Sequence, residues 1–274
     1  MWLALEPIHA GIYFAPEARD VYAAVGLKGY WMGYFASRSA AFGPASAELV
    51  IATFYNFAER MVRRAIPDAW RFSTPADVLA ARLRLADLTT NRMLDGVAED
   101  DIATAAEIAE AAARAARLEG RPLFAAHAAL DWPHEPRLRL WHAATLLREH
   151  RGDGHVAVLA SLGVDGLGAH LLAAAAGNVD LLTQRKHRGI TDDEWDAATE
   201  RLRRQGILDV AGAFTPEGRA LKQDIEDRTD ALALQPYASI GRDECDRLLQ
   251  LLDGLAARAE VPYPNAMGLP PASA

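Results

Sequence analysis

The segment TDDEWDAATERLRRQGILDVAGAFTPEGRAL, residues 191–221, decides the fold of the C-terminal part of the chain. It begins with Thr191 and Glu194, which have the spacing of a capping box, where each side chain bonds the other residue's backbone N–H at a helix start. An apolar face with helical spacing follows, formed by Trp195, Ala198 and Leu202. The segment therefore predicts an amphipathic helix that extends to Gly206.

A short hairpin is predicted directly after this helix. Two β-prone runs in ILDVAGAFT, residues 207–215, flank the dipeptide Ala211-Gly212, which favours a turn. Thr215 and Pro216 then have the residue types of a helix N-cap and a first helical position. Helix, small hairpin and helix in this order are typical of a winged-helix domain.

The C-terminal run resembles a known class of winged-helix proteins. DEWDAATERLRRQGILDVAGAFTPEGRALKQDIE, residues 193–226, is similar to the recognition helix, wing and following helix of MarR-type proteins, above all in LRRQGIL and FTPEGRAL. The whole chain also resembles an actinobacterial family of helix-turn-helix proteins, through GYWMGYFASRSAAFGP (29–44), LLREHRGDGHVAVL (146–159) and the C-terminal run. The first resemblance implies a ligand-responsive transcriptional regulator, and the second implies a fold without an established activity.

The N-terminal part of the chain predicts short helices separated by glycine and proline. Thr74-Pro75 marks one helix start, with threonine as the cap and proline at the first helical position. The alanine-rich stretch 99–118 and the stretch 137–150 are further predicted helices. We therefore expect a mainly α fold, with a helical domain over residues 1–150 followed by a winged-helix domain with C-terminal helices over residues 151–274.

The composition indicates how the chain is stabilised and in which cellular compartment it is expected. A chain of 274 residues that is 51% hydrophobic and 24% charged buries enough apolar surface to fold without a metal or disulfide. Its single cysteine, Cys245, has no internal disulfide partner, and its start lacks the pattern of a secretory leader, so a cytoplasmic protein is expected. The apolar run 167–177 is too short to span a bilayer, so no membrane association is expected.

The charge pattern disfavours DNA as a partner. The chain has a formal net charge of −8, and the predicted recognition helix, residues 191–206, has five acids against three arginines. The acids crowd its N-terminal end, where carboxylates repel the phosphates that such a helix approaches. The segment QRKHRG, residues 184–189, is basic and is either a phosphate clamp before the helix or a solvated connector that pairs with the acidic helix start. We expect the winged helix to serve as a scaffold or dimerisation module in a homodimer.

The stretch REHRGDGH, residues 148–155, concentrates charge where the apolar periodicity stops. Its glycines predict a tight connection between a helix that ends near His150 and one that begins near His155. Three interpretations stay open. Asp153 caps the second helix while the histidines bond backbone carbonyls, or Arg151 and the imidazoles hold a polar small molecule. In the third interpretation, His150, Asp153 and His155 act as acid, base or metal ligands.

These residues leave the cofactor and the reaction undetermined. The histidine spacing does not match a zinc motif such as H-E-x-x-H, and the chain has no cysteine pair. Haem needs a single axial histidine, so a haem or metal cofactor remains one of the alternatives. An enzyme that uses His150 or His155 is another. The sequence contains no P-loop, dinucleotide fingerprint or G-x-S-x-G elbow.

A second polar and aromatic group lies in GYWMGYFASRSAAFG, residues 29–43. Tyr30, Tyr34 and Arg38 recur every four residues, which places two phenols and a guanidinium on one helix stripe. Packing of the aromatic residues in the core is the alternative. We predict a small-molecule-binding protein whose pocket lies between this stripe and REHRGDGH. The predicted ligand-binding residues are Tyr30, Tyr34, Arg38, His142 and Arg151, and the predicted catalytic residues are His150, Asp153 and His155.

Overall fold

Helices dominate the structure. The computed structural model describes residues 1–259, 261, 262, 265 and 267, and these residues have a mainly helical fold. The helices are α1 (Trp2–Phe14), α2 (Ala18–Ala24), α3 (Gly29–Ser39), α4 (Ala47–Phe54), α5 (Glu59–Ala65), α6 (Pro75–Met93), α7 (Glu99–Ala115), α8 (Pro122–Ala128), α9 (Pro136–Ser161), α10 (Gly166–Ala175), α11 (Leu181–Arg188), α12 (Asp192–Arg204), α13 (Pro216–Ala233), α14 (Gln235–Ile240), α15 (Arg242–Leu252) and α16 (Leu255–Arg258). Turns of 3₁₀ helix at Ala40–Phe42 and Asp68–Arg71 follow α3 and α5.

Several helix starts follow from the local sequence. The Thr191 hydroxyl accepts a hydrogen bond from the Glu194 backbone N–H (3.3 Å), and the Glu194 carboxylate accepts one from the Thr191 N–H (2.8 Å). This confirms the predicted capping box at the start of α12. Thr74 and Thr215 cap α6 and α13 through their hydroxyls, each followed by a proline, as predicted.

Helix α9 is uninterrupted, so the predicted tight connection at REHRGDGH is wrong. Gly152 and Gly154 lie inside the helix, and neither has a positive φ. The polar residues there interrupt the apolar pattern without breaking the helix, because α1, α7, α8 and α13 cover it from several sides. Gly154 is small for a packing reason, since a Cβ at this position would collide with the Arg121 guanidinium. The domain boundary predicted after residue 150 falls within α9.

The main hydrophobic core lies around the N-terminal half of α9. It includes buried side chains of α1, α3 and α6, for example Ile8, Phe35 and Leu85. Leu248 and Leu252 of α15 belong to the same core, because α14 and α15 fold back against α7. The helices near the C-terminus thus complete the core of the N-terminal helices.

A separate small cluster holds α12 against α10. It consists of the buried residues Leu171, Trp195, Ala198, Leu202 and Leu208. The apolar face predicted for α12 from its spacing is therefore confirmed. Burial of this face, rather than helix propensity alone, stabilises α12.

The segment between α12 and α13 contains no strand, as none occurs in the residues described, so the predicted hairpin with two strands is wrong. Leu208 and Phe214 form an isolated antiparallel bridge instead. Next to it, the Asp209 N–H donates to the Ala213 carbonyl oxygen (2.9 Å). The pairing stops there because Val210 is 92% exposed, and strands are stabilised by side chains packed on a face.

No single helix within the described ranges has the length and apolarity needed to cross a membrane. Helices α9 and α10 reach the required length and apolarity as a pair, but the pair is bent by 101°.

Candidate functional site

A cavity of about 390 Å³ lies between α1, α3 and α11. Aromatic side chains form most of its wall: Tyr13, Phe14, Tyr30, Trp31, Tyr34 and Phe57. His187 and Arg188 at the end of α11, together with Asn265 near the C-terminus, add polar groups. A mainly apolar cavity of this size with a few polar groups is the usual form of a small-molecule site. We call it the aromatic cavity.

The aromatic walls are built by helix geometry and held by ring contacts. Tyr30 and Tyr34 lie one turn apart on α3, so both face the cavity. The Tyr34 ring centroid lies 5.1 Å from that of Tyr13 and 5.6 Å from that of Phe57. These separations are those of favourable aromatic pairs. The Tyr30 hydroxyl also donates to the Tyr13 carbonyl oxygen (3.1 Å), which fixes the ring further.

Arg188 places a cation at the edge of the cavity. The residue is buried, and its guanidinium lies 4.4 Å from the centre of the Phe57 ring. Its Nε donates to the Gln184 side-chain oxygen (3.1 Å). Burial lowers the pKa of Arg188, yet a guanidinium stays protonated in neutral solution because its ordinary pKa is so high. The cavity thus combines flat apolar walls with a positive charge.

A buried network of charges lies behind the Tyr34 ring. Arg38 donates to the Tyr34 hydroxyl (3.0 Å) and to both oxygens of Glu149 (3.0 and 3.1 Å). Arg148 donates to Glu149 (2.8 Å) and to Glu6 (3.3 Å). We call Glu6, Arg38, Arg148 and Glu149 the charge network. It joins α1, α3 and α9 at the back of the cavity wall.

Glu149 and Arg38 of the charge network are both ionised at neutral pH. Burial by itself raises the pKa of Glu149, but Arg148 and Arg38 beside it hold that pKa well below its usual range. Burial likewise disfavours the charged form of Arg38, but Glu149 holds the pKa of Arg38 well above its ordinary value. Each charge is therefore kept in the interior by its partners, as buried ions require.

Tyr13 connects the aromatic cavity to a second set of buried polar groups. Its hydroxyl accepts a hydrogen bond from Arg82 Nη2 (3.2 Å), so its own proton is directed to His9 Nε2 (3.2 Å). The Nδ1 of His9 then carries the ring proton and donates to the Thr145 hydroxyl (3.0 Å). Burial lowers the pKa of His9 well below its ordinary value, so this imidazole is neutral at neutral pH.

The structure brings the predicted stripe on α3 together at the aromatic cavity. Tyr30 and Tyr34 line the cavity, and Arg38 lies behind Tyr34 as part of the charge network. The spacing of four residues is the sequence signal for this arrangement. Arg38 reaches Glu149 rather than the open cavity, because the carboxylate compensates its charge in the interior.

Arg151 and His142 lie away from the aromatic cavity. Arg151 donates to Glu226 (3.4 Å) and Asp230 (3.3 Å) on α13. His142 packs edge-on against Trp132, with ring centroids 4.7 Å apart. The structure therefore does not bring these residues and the tyrosines into one pocket, because their side chains leave α9 on other faces.

The three predicted catalytic residues contact two different helices. Asp153 Oδ2 accepts a hydrogen bond from the Phe124 N–H at the start of α8 (2.9 Å), and the His150 ring packs edge-on against Phe124 (5.2 Å between centroids). His155 Nδ1 shares a hydrogen bond with the Thr229 hydroxyl on α13 (2.9 Å). The interpretation in which Asp153 caps a helix beginning near His155 is wrong, because Asp153 lies inside α9 and serves α8 instead.

Burial shifts the protonation of these groups. It lowers the pKa of His150 and that of His155 to about 4 and raises the pKa of Asp153 to about 6. The described part of the chain holds no group of three or more His, Cys, Asp or Glu side chains suited to a metal ion. The catalytic role of the three residues stays a prediction.

Helices α11 and α12 follow each other in the chain with a short turn between them. Gly189 ends α11 with a φ of +66°, a left-handed conformation that glycine adopts without strain, and α12 begins at Asp192. A short turn that contains glycine is the kind of connection found between the two helices of a helix-turn-helix motif, and we refer to α11 and α12 as the motif. The N-terminal end of α12 also binds α5, because Arg60 donates to both carboxylate oxygens of Glu194 (2.8 and 2.6 Å).

Comparison with known proteins identifies the family. A model described as a helix-turn-helix family matches residues 1–261. The chain belongs to this helix-turn-helix family. The resemblance of the whole chain to helix-turn-helix proteins is thereby confirmed, whereas the resemblance to MarR-type proteins is not. No curated protein and no solved structure matches the chain.

The second helix of the motif in this helix-turn-helix protein has an acidic exposed face, formed by Asp193, Asp196 and Glu200. Two of its arginines serve the fold. Arg201 pairs with Asp165 before α10 (2.7 Å), and Arg203 donates to the carbonyl oxygens of Asp209 (3.1 Å) and Val210 (2.8 Å). These two arginines therefore anchor the neighbouring loops with their charged groups.

Several cavity residues of the helix-turn-helix protein are missed by sequence reasoning. Tyr13, Phe57 and Arg188 come from three distant segments, and no spacing rule connects them. The basic segment 184–189 is a signal for Arg188, but it predicts a phosphate clamp or a solvated connector. Arg188 is instead buried against Phe57, which only the packing of α11 reveals.

Proposed function

We propose that this helix-turn-helix protein binds a small, flat, negatively charged organic molecule in the aromatic cavity. The proposal rests on one observation, that six aromatic side chains and the buried cation Arg188 line the same cavity of about 390 Å³. Flat rings stack on aromatic walls. A buried guanidinium favours an anionic group, because little solvent screens the attraction between them.

The charge network supports this proposal because it stiffens one wall. Arg38 donates to the Tyr34 hydroxyl and to Glu149, so the Tyr34 ring is attached to α9 through two successive polar contacts. Tyr30 is attached to α1 through its hydroxyl. A wall that is ordered before binding loses less conformational entropy when the ligand arrives.

Calorimetric titration with 2-naphthoate and its uncharged analogue 2-naphthamide tests the proposal. We expect the acid to bind more tightly than the amide, and Arg188→Met to weaken the acid about tenfold or more while leaving the amide unchanged. Arg185→Met is the matched control, because Arg185 lies on the same helix, pairs with Asp192 and does not line the cavity. Equal binding of the acid and the amide, or binding of neither, contradicts the proposal.

We further propose that the helix-turn-helix motif serves as a scaffold or dimerisation module rather than as a DNA reader. The acidic exposed face of α12 supports this role, because it repels phosphates. The docking of Glu194 on Arg60 supports it as well, because it turns the start of α12 toward α5.

A ligand-responsive DNA-binding regulator is the second candidate, and membership of a helix-turn-helix family favours it. Fluorescence anisotropy with labelled duplexes from the gene's own upstream region separates the two candidates. A scaffold gives no binding at about 0.15 M salt. Tight binding that depends on sequence and weakens steeply with salt identifies a DNA reader.

A further inference from the structure

A second cavity lies between α6, α8 and α9, away from the aromatic cavity. Its volume is about 300 Å³, and Leu83, Leu130, Trp132 and Trp141 form much of its apolar wall. We call it the tryptophan cavity. Among the described residues it shares no lining residue with the aromatic cavity, although Tyr13 of the aromatic cavity contacts Arg82 of this one.

Four buried polar side chains of this cavity have atoms without a hydrogen-bond partner in the described structure. These atoms are Nε and Nη1 of Arg82, Nε1 of Trp141, Nε2 of His127 and Nε2 of His142. All four residues are buried, with exposures of 2% for Arg82, 4% for Trp141, 1% for His127 and 4% for His142. Buried polar groups are nearly always paired, so their convergence on one cavity is a signal for a ligand.

Arg82 is the strongest part of this signal. Its Nη2 donates to the Tyr13 hydroxyl, and its guanidinium lies 5.2 Å from the Trp141 ring. Within the described chain, no carboxylate lies within 4.0 Å of it, in contrast to the paired guanidiniums of Arg38 and Arg148. A buried cation without a counter-charge is unfavourable, so an anion that enters the cavity is attracted strongly.

The protonation of the two imidazoles decides which groups at the cavity donate hydrogen bonds and which accept them. His127 Nδ1 donates its proton to the Leu123 carbonyl oxygen (2.9 Å), which leaves Nε2 as an acceptor in the neutral ring. Burial lowers the pKa of His127 and of His142 to about 4, so both rings are neutral at neutral pH. Arg82 and Trp141 supply N–H donors at the cavity, and the neutral His142 ring adds one N–H and one acceptor nitrogen.

We infer that the tryptophan cavity is a second binding site, for a small carboxylic acid with an apolar body. The carboxylate accepts hydrogen bonds from Arg82 and Trp141, and the apolar body contacts the leucines and Trp132. A single negative charge matches the single guanidinium. A dianion such as phosphate fits less well, because the walls are mainly apolar and the exposed Asp131 at the rim repels a second negative charge.

Nuclear magnetic resonance of the indole N–H groups tests this inference directly. The probe is cyclohexanecarboxylate, and cyclohexanecarboxamide is its uncharged analogue. Loss of one resonance in Trp141→Phe identifies the Trp141 N–H. We expect this resonance to shift downfield on addition of the acid, because its N–H gains an anionic acceptor. The concentration needed for the same shift should be about tenfold higher for the amide.

Variants separate this site from the aromatic cavity. Arg82→Met is expected to weaken binding of the acid about tenfold or more. Arg114→Met is the matched control, because Arg114 stacks on Trp132 (4.5 Å) without lining the cavity, and it should leave the affinity unchanged. Arg188→Met should also leave it unchanged. An affinity that survives Arg82→Met, or one that is lost in Arg188→Met, overturns the inference.

Trp141→Phe provides a second test that does not depend on whether Arg82→Met folds. It removes one N–H donor and keeps an aromatic ring, and we expect calorimetry to show about fivefold weaker binding of the acid. Unchanged affinity in a folded Trp141→Phe protein overturns the inference as well. The result is distinguishable from that of the proposed function, because Arg188→Met changes a lining residue of the aromatic cavity, whereas the Trp141 N–H resonance reports on the tryptophan cavity.

Discussion

Arg38 donates to both carboxylate oxygens of Glu149, at 3.0 and 3.1 Å, although the two residues are 111 positions apart in the chain. The side chains are 7% and 2% exposed, so the ion pair is buried. Glu149 also accepts a hydrogen bond from Arg148. One carboxylate on α9 therefore pairs with two guanidiniums, of which Arg148 also pairs with Glu6, and this arrangement has a measurable consequence.

Glu149→Gln is expected to destabilise the protein by about 3–5 kcal/mol, because it removes the carboxylate that pairs with Arg38 and leaves Arg148 with Glu6 alone. Arg38→Met should cost at least about 1 kcal/mol less, because Glu149 keeps Arg148 as its partner. Urea unfolding of both variants gives the two values. A larger loss for Arg38→Met than for Glu149→Gln would show that Glu149 does not hold the network together.

The two glycines inside α9 are expected to respond differently to alanine. At Gly152 a Cβ meets the nearest side-chain atoms, those of Arg148 and Glu149, at 3.7 Å, so Gly152→Ala should stabilise the helix by about 0.5–1 kcal/mol. At Gly154 a Cβ collides with Arg121, which donates to the His150 and Leu232 carbonyl oxygens. Gly154→Ala should therefore destabilise by about 1–3 kcal/mol. Thermal unfolding of the pair checks the prediction, and equal shifts for both variants contradict it.

Stability is expected to fall as the pH falls from about 6.5 to about 4. Burial lowers the pKa of four histidines from 6.5 to about 4 in the folded protein: His127, His142, His150 and His155. Between these pH values the unfolded chain binds more protons than the folded one, so acid favours unfolding. Asp153, whose pKa is raised to about 6, acts in the opposite direction, but it is one group against four.

Urea midpoints at several pH values between 7.5 and 4.5 measure this dependence. His150→Phe removes one of the titrating groups while keeping a ring against Phe124, so it should flatten the curve. A midpoint that is constant across the range would refute the prediction.

The turn before α13 is expected to depend on the Asp209 carboxylate. Its Oδ1 accepts hydrogen bonds from the Ala211 N–H (2.8 Å) and the Ala213 N–H (2.9 Å). Asp209→Ala should speed hydrogen exchange of these two amides about fivefold to tenfold, because each bond contributes about 1 kcal/mol. Val210→Ala is the control, since that side chain is 92% exposed. Unchanged exchange in Asp209→Ala would show that the turn is held by other contacts.

Much of the local structure is predictable from short segments. The capping box of Thr191 and Glu194 forms as predicted, and Trp195 lies on a buried face of α12. The spacing of Tyr30 and Tyr34 likewise indicates two rings on one side of α3. These predictions succeed because their partners lie within four residues of each other, and helix geometry then decides their direction.

The error at REHRGDGH has a physical reason. Glycines and charges are typical of a connection, but here Glu149 is paired with Arg38, and Gly154 makes room for Arg121. Those partners come from α3 and the start of α8, which the local pattern does not contain. The hairpin prediction is wrong for a similar reason. The β-prone residue types predict a strand, but Val210 is exposed and does not pack against a surface.

The sequence by itself determined that the chain is helical, where several helices begin, and that α12 exposes acids. Only the tertiary structure decided which polar groups are buried together. It placed Arg188 at the aromatic cavity, gave Arg38 a carboxylate, and left Arg82 without one among the residues described. Pairing of buried charges depends on the packing of helices that are distant in the chain, and short-range spacing contains no information about that packing.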